Sequence, residues 1–147
     1  MLYGVIGDRV VLGGLRHPTM HPMQPLIGGL GLCHVRTQVA MDEPRAEVEL
    51  PRLTESVLGY VMVLSERTPV VYVAWELDEQ AAAGWRDGRL ALGPLTGDSE
   101  LPRRRFRRPD TGPVDAALGW LGVRRRRGHE RAETVGLLER ELWEPTT

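Results

Sequence analysis

Residues 58–77 read LGYVMVL, then SERTP, then VVYVAWEL, and the fold predicted for the chain follows from this stretch. Both apolar runs are short for helices and rich in valine and aromatic side chains, which favours two β-strands. The few residues between the runs allow only a tight antiparallel return, because a parallel crossover needs a dozen residues or more. We therefore predict a β-hairpin here.

The second run of this hairpin is apolar on both faces. Alternate side chains of a strand point to opposite sides of the sheet, so the run divides into two sets. These are Val71, Val73, Trp75 and Leu77 on one face, and Val70, Tyr72 and Ala74 on the other. A sheet with one wet face would alternate apolar and polar residues, so we expect the hairpin to be covered on both sides.

Further strands are predicted before this hairpin. Residues 2–6 and 10–12 flank a Gly-Asp pair, which is typical of a tight hairpin turn. Residues 34–41 and 46–50 alternate apolar with polar side chains, so we predict two edge strands with one wet face. Residues 15–31 are predicted to be a long loop, because their X-Pro steps disfavour a helix.

Helices are predicted mainly after the hairpin. Residues 78–85 are a short helix candidate and residues 90–92 a last short strand. A longer helix begins near Pro113, since proline and acidic side chains favour a helix start, and it ends at Gly122. The final helix covers residues 130–144. Its predicted core face carries Ala132, Val135, Leu138 and Leu142.

The predicted architecture is α+β, with a mostly antiparallel β-meander and two C-terminal helices on one face. The sheet would be a half-barrel or sandwich-like, and its other face would be covered by the N-terminal hairpin or by a second subunit, so a homo-oligomer is one expectation. We predict a single domain over residues 1–147. It divides into a β-rich scaffold at 1–92, an arginine-rich loop at 93–112 and a helical part at 113–147.

Composition limits the possible chemistry. A single cysteine, Cys33, cannot form an internal disulfide, and neither a signal peptide nor an apolar run of membrane-spanning length is visible, so we expect a cytoplasmic protein without membrane contact. All 19 basic residues are arginine. A P-loop and a pyridoxal enzyme each need a lysine, so both classes are excluded.

Positive charge is concentrated towards the C-terminal end of the sequence. Residues 1–100 carry 8 arginines and 13 acidic residues, whereas residues 101–147 carry 11 arginines and 7 acidic residues. Two runs account for most of the excess. They comprise Arg103, Arg104, Arg105, Phe106, Arg107 and Arg108 in the first, and Arg124, Arg125, Arg126 and Arg127 in the second. Guanidinium groups match phosphate and carboxylate geometry, and an aromatic side chain between them can stack on a base, so we predict binding to an acidic protein surface or to nucleic acid.

A metal site is not predicted, although four residues have ligand chemistry: His17, His21, Cys33 and His34. A proline interrupts the two-histidine spacing, and neighbouring strand residues point to opposite faces, so the four residues do not form a ligand set. His129 and Glu133 are one helical turn apart and are better explained as ordinary surface charge.

Catalytic motifs are missing. None of the three serines lies in a GxSxG frame, and the glycine-rich segment at 28–31 lacks the third glycine of a dinucleotide fingerprint. We therefore predict no cofactor, and these absences lower the odds of an enzyme. The remaining candidate for a ligand pocket is an aromatic lining within the sheet, formed by Tyr60, Tyr72, Trp75 and Trp85.

Three functional hypotheses follow. The first is a non-catalytic binding or regulatory module whose arginine-rich surface engages an acidic partner. The second is a small-molecule-binding protein, or a cofactor-independent enzyme, that uses the aromatic pocket. The third is a structural component of a larger assembly. The charge distribution favours the first.

Overall fold

The computed structural model describes residues 1–40, 42–77, 79–98 and 112–138. The strands are β1 (Leu2–Asp8), β2 (Gln24–Pro25), β3 (Leu30–His34), β4 (Val70–Trp75), β5 (Glu79–Arg86) and β6 (Arg89–Asp98). The helices are α1 (Arg9–Gly14), α2 (Thr37–Ala40), α3 (Glu55–Ser65), α4 (Pro113–Trp120) and α5 (Arg131–Thr134). All pairings in the sheet are antiparallel, in the order β2-β3-β1-β4-β5-β6, so the α+β prediction is confirmed and the sheet is open rather than barrel-like.

Strand β4 lies inside the sheet and is shielded on both faces, as predicted. It pairs with β1 on one side and with β5 on the other. Val70, Tyr72 and Ala74 face a core that includes residues of α3, whereas Val71 and Val73 face a second core built with α4 and α5. The two C-terminal helices therefore lie on one face, as predicted. Leu77, assigned to the second face from the sequence, is 92% exposed beyond the end of the strand.

The first half of the predicted hairpin is wrong, because the segment forms helix α3. The Thr54 hydroxyl caps this helix by accepting a hydrogen bond from the Val57 amide at 3.3 Å. Val57, Val61 and Leu64 are fully buried at helical spacing, whereas Met62 and Val63 between them are 41% and 50% exposed. This helix covers the face of the sheet that was predicted to be covered by an N-terminal hairpin or a second subunit. An oligomeric state stays a prediction.

The predicted N-terminal hairpin is also wrong. β1 extends through the Gly-Asp pair, and the chain then enters helix α1 rather than a second strand. The reason is the Asp8 carboxylate, whose Oδ1 accepts from the amides of Val10 at 2.9 Å and Val11 at 3.2 Å. Aspartate at this position satisfies amides of the first helical turn, and so it favours a helix start over a tight turn.

The two predicted edge strands are largely replaced by irregular structure. Of residues 34–41 only His34 lies in β3, and the chain then forms the single turn α2. Residues 46–50 lie in a loop that is closed by one bridge between Arg45 and Thr54. Ala46 and Leu50 are nevertheless buried, so their alternation correctly indicated which side chains face the core but not the backbone conformation.

The predicted helix at 78–85 is wrong as well, because the described residues form strand β5. Ala81, Ala83 and Trp85 contribute to the core that includes α3, and Ala82 lies in the opposite core. Alanine favours helices, but pairing with strands on both sides outweighs that preference here. The predicted strand at 90–92 exists and extends to Asp98, and the remainder of the predicted loop, 99–111, lies outside the described residues.

The start of α4 at Pro113 and its end before Gly122 agree with the prediction. Helix α5 is shorter than predicted, because Gly136 adopts a φ of +82° and the Leu137 amide donates back to the Ala132 carbonyl at 2.8 Å. This arrangement is a Schellman helix end, which favours glycine. It buries Leu137 and leaves Leu138, a predicted core residue, 44% exposed; Leu142 lies outside the described residues.

Replacing Gly84 by alanine is expected to destabilise the fold by about 1–3 kcal/mol, because a Cβ there would lie 2.7 Å from the Trp120 ring. Gly59 is the matched control: it is exposed on α3 with nothing within 4 Å of its Cβ position, so Gly59→Ala should add about 1 kcal/mol. Urea denaturation measures both changes. Equal effects of the two substitutions would contradict the close packing of α4 on β5.

Candidate functional site

The second arginine run lies in the loop between α4 and α5, here called the arginine loop and defined as residues 121–130. Arg124, Arg126 and Arg127 are exposed, whereas Arg125 is half-buried. The first run, at 103–108, lies outside the described residues. The candidate site is therefore built on the arginine loop.

Asp115, in the first turn of α4, anchors this loop. Its Oδ1 accepts from the Arg131 amide at 3.0 Å, and its Oδ2 accepts from Arg131 Nη1 at 2.6 Å and from Arg125 Nη2 at 3.4 Å. Arg131 Nε in turn donates to the Val123 carbonyl at 2.8 Å. Asp115 is 5% exposed, so these interactions form in a largely desolvated place. One buried carboxylate thus ties the loop to α4 through Arg125 and, just after its C-terminal end, through Arg131.

A second set of hydrogen bonds fixes the middle of the loop. The Arg126 amide donates to Thr134 Oγ1 at 3.0 Å, and the His129 amide donates to the Arg126 carbonyl at 2.9 Å. Arg126 Nη2 lies 3.3 Å from His129 Nε2, and His129 Nδ1 lies 2.9 Å from Glu133 Oε2. Since a guanidinium only donates, His129 accepts at Nε2 and donates from Nδ1. The loop therefore has a defined conformation, with a depression of about 380 Å³ beside it.

Two acidic side chains border this depression, and their surroundings act in opposite directions. Burial raises the pKa of Glu130, and the nearby carboxylates of Asp115 and Glu133 raise it further. The hydrogen bond from His129 is the largest of the effects that lower the pKa of Glu133. Glu133 therefore stays ionised and accepts the hydrogen bond from His129. The exposed guanidiniums of Arg124, Arg126 and Arg127 are then the dominant charges of the loop.

Arg86 extends the positive charge onto the sheet. Its guanidinium carbon lies 5.0 Å from the centre of the Trp120 ring, at the end of α4 that leads into the arginine loop. Arg86 is exposed, and the stacking on Trp120 restricts its position. We define the basic face as Arg86, Arg124, Arg126 and Arg127, where Arg86 is connected to the loop through Trp120, the residue that directly precedes it.

The four aromatic residues predicted to line one pocket are distributed over both faces of the sheet. Tyr72 and Trp85 are packed in the core that includes α3, where the Tyr72 hydroxyl donates to the Pro51 carbonyl at 2.5 Å. Trp75 packs against the opposite core. Tyr60 belongs to the same core as Tyr72 and Trp85, but it lines a cleft that none of the other three lines. The structure therefore brings three of the four residues to one face, packed in the core and not around a shared pocket.

The residues with metal-ligand chemistry are also divided. His17, His21 and Cys33 line the cleft that contains Tyr60, whereas His34 points to the other side of β3, as the adjacency with Cys33 predicted. In the described part of the chain, no group of three or more His, Cys, Asp or Glu side chains is arranged to hold a metal ion.

Another cleft, of about 960 Å³, opens beside the loop at 43–54. It carries charges of both signs, from Glu43, Glu49 and Glu76 and from Arg45 and Arg52. Glu76 accepts a 2.6 Å hydrogen bond from the Tyr3 hydroxyl. Mixed charge gives this cleft no preference for an anion or a cation.

Sequence reasoning missed Asp115 as the organising residue of the site. Its position in the first turn of α4 is explained by the helix dipole alone, and nothing local indicates that it binds arginines 10 and 16 residues later. A weak signal exists, because an acidic residue in an otherwise apolar segment, GPVDAALGW, needs a partner when that segment is buried.

Comparison with protein-family models, with curated proteins and with solved structures finds no match. Within the described ranges, no helix has the length and apolar character needed to cross a bilayer. The chemistry of the basic face therefore has to be inferred from its own residues.

Proposed function

We propose that this protein is a non-catalytic binding module whose basic face engages an acidic macromolecular partner. The observation that carries the proposal is the anchoring of the arginine loop by Asp115. The carboxylate engages Arg125 and Arg131, while Arg124, Arg126 and Arg127 stay exposed. Arg125 is therefore structural, whereas Arg124, Arg126 and Arg127 present guanidiniums at the surface, with one nitrogen of Arg126 also donating to His129.

A fixed loop favours binding because less conformational entropy is lost on association. Side chains on an unanchored loop would have to be ordered by the partner. Here the backbone of the loop is held at Val123 and Arg126, and the chain is held again at Arg131 directly after the loop, before any partner arrives. The planar guanidinium fork then offers bidentate hydrogen bonds to phosphate or carboxylate groups.

Nucleic acid and an acidic protein surface offer the same anionic chemistry, and they differ in their response to salt. Each phosphate contact on duplex DNA releases condensed counterions, so the logarithm of affinity falls steeply with the logarithm of salt concentration. An acidic protein without such a counterion layer gives a shallower dependence. The first run, 103–108, adds five further arginines and Phe106 to the same half of the sequence.

Simultaneous replacement of Arg124, Arg126 and Arg127 by alanine is expected to weaken duplex DNA binding about tenfold or more and to reduce the salt slope by about three. Fluorescence anisotropy over a salt series measures both quantities. A polyglutamate peptide in parallel titrations distinguishes the protein-like partner from the nucleic acid.

The control variant replaces Arg9, Arg45 and Arg67, which are exposed and lie outside the basic face, so it removes the same net charge. It should lose little affinity. Equal losses in the two triple variants would show that only net charge matters. An affinity that changes neither with salt concentration nor with replacement of the arginines in either run would rule out the proposal.

A further inference from the structure

A second basic feature lies on the other face of the sheet from α4. It is a cleft of about 690 Å³ between the loop that follows α1 and residue Tyr60 of α3, here called the Tyr60 cleft. Its titratable lining includes Arg16, His17, His21 and Arg36 but no aspartate or glutamate. A concave site whose charged groups have one sign concentrates ligands of the opposite sign.

Part of the lining of the Tyr60 cleft is apolar. It is formed by Leu12, Leu15, Met20 and Met23 together with Cys33. The volume lies within the range of about 300–1,000 Å³ that is usual for small-molecule sites. Methionine side chains adapt to irregular shapes, so this part of the lining can accept a hydrocarbon or aromatic body. Basic groups beside an apolar lining match an amphiphilic anion.

The polar groups of the cleft are held in place by the protein. His17 Nδ1 accepts from the Thr19 amide at 3.2 Å, so the proton of the neutral ring is on Nε2. Within the described ranges Nε2 has no partner, and it is therefore available to donate to a ligand. Arg36 is fixed through its Nε, which donates to the Met20 carbonyl at 3.2 Å.

Arg36 has no acidic partner in the part of the chain that the structure describes, although it is half-buried. The Arg36 charge also acts on His21: burial is the larger cause of the lowered pKa of His21, and the Arg36 guanidinium is the second. A partly desolvated guanidinium without a counter-ion is unusual and gains from an anion that supplies one.

We propose that the Tyr60 cleft binds a small organic anion. Its carboxylate or phosphate group would be held by Arg36 and His17, and its apolar body would lie on Met20 and Met23. This site is independent of the basic face, because the two are on opposite faces of the sheet and share no residue.

The arrangement favours binding over catalysis. The Tyr60 hydroxyl donates to the Leu15 carbonyl at 2.9 Å, so its proton is engaged. Cys33 is 2% exposed, and burial raises the pKa of its thiol, so it stays protonated and shielded at neutral pH. Neither side chain is prepared to attack a ligand.

Octanoate, phenyl phosphate and the neutral octanamide are suitable probes, titrated into the full chain and followed by NMR of the methionine methyl and histidine ring protons. We expect shifts of Met20, Met23, His17 and His21 with at least one anion and none with octanamide. A response to octanoate alone identifies a carboxylate ligand, and a response to phenyl phosphate alone identifies a phosphate ligand. Equal responses to octanoate and octanamide, or no response to either anion at millimolar concentration, would overturn the proposal.

Arg36→Met keeps the length and the apolar part of the side chain, and it should weaken anion binding at least tenfold. Arg67→Met, at an exposed position just after the end of α3, is the matched control and should leave Kd unchanged. Thermal unfolding checks that both variants fold. If Arg36→Met does not fold, His17→Phe is tested instead, because it keeps a ring beside Tyr60 and removes the Nε2–H that holds the anion, so affinity should still fall severalfold. An unchanged Kd in the folded variant that is tested contradicts the proposal.

Discussion

Replacing Asp115 by alanine is expected to lower the free energy of unfolding by about 3–5 kcal/mol. The substitution leaves Arg125 and Arg131 without their shared carboxylate in a place where Asp115 itself is only 5% exposed. Removing one member of a buried charge network costs more than the network contributes, since the remaining guanidiniums, whose side chains are 23% exposed, stay largely desolvated. Urea denaturation, with the midpoint and slope fitted together, measures the change.

Asp115→Asn separates geometry from charge at this position. The amide oxygen can still accept from Arg131, so the loss should be smaller than for alanine. The hydrogen-exchange rates of the amides at 123–131 should increase in both variants, and the increase should be larger in Asp115→Ala than in Asp115→Asn. A loss below about 1 kcal/mol in the alanine variant, which is the value of an exposed ion pair, would contradict the anchoring role.

Acidification is expected to remove up to roughly 3 kcal/mol of stability through His34. His34 is 3% exposed, and its Nε2 has no hydrogen-bond partner among the described residues. Burial, and secondarily the charge of His21, lower the pKa of His34 to about 4. The folded state therefore excludes a proton that the unfolded chain accepts near its ordinary pKa of 6.5.

The direction of the pH effect follows from this difference. The contribution of neutral His34 to the free energy of unfolding is fully present above pH 6.5. It falls as the pH decreases towards 4, and His34 causes no further loss below that value. His34→Gln should remove most of the decline. Thermal unfolding between pH 7 and 4 tests this. The same decline in wild type and His34→Gln would contradict the assignment.

The elements predicted correctly from the sequence are those whose local signals agree with their tertiary surroundings. The run at 70–75 is β-branched and apolar on both faces, and it forms the strand between β1 and β5. Pro113 and Gly122 mark the ends of α4 because proline and glycine restrict the backbone directly.

The errors arise where local preference and tertiary context disagree. Helix α3 is rich in valine and only weakly amphipathic. The spacing of its apolar residues indicates a helix only when Thr54 is identified as the N-cap. The alanines of β5 favour a helix when considered alone, but small side chains are required where Trp120 packs against Gly84. Neither requirement is visible without the neighbouring elements.

The candidate sites show the same limitation. The arginine runs are evident in the composition, but the distinction between the anchoring Arg125 and the exposed arginines around it depends on Asp115. His17 and Tyr60 are far apart in sequence, and their ring centres are 5.4 Å apart across the cleft. Long-range contacts of this kind leave no pattern in the sequence of one chain.

An NMR titration of the isotope-labelled full chain with a single-stranded oligonucleotide and, separately, with polyglutamate tests the basic face most directly. At least one polyanion should shift the amides of the arginine loop and the Nε–H signal of Arg86, and raising the salt concentration should reverse these shifts. If both polyanions leave the arginine loop unchanged at low salt, the basic face does not engage an acidic partner and the proposed function is contradicted.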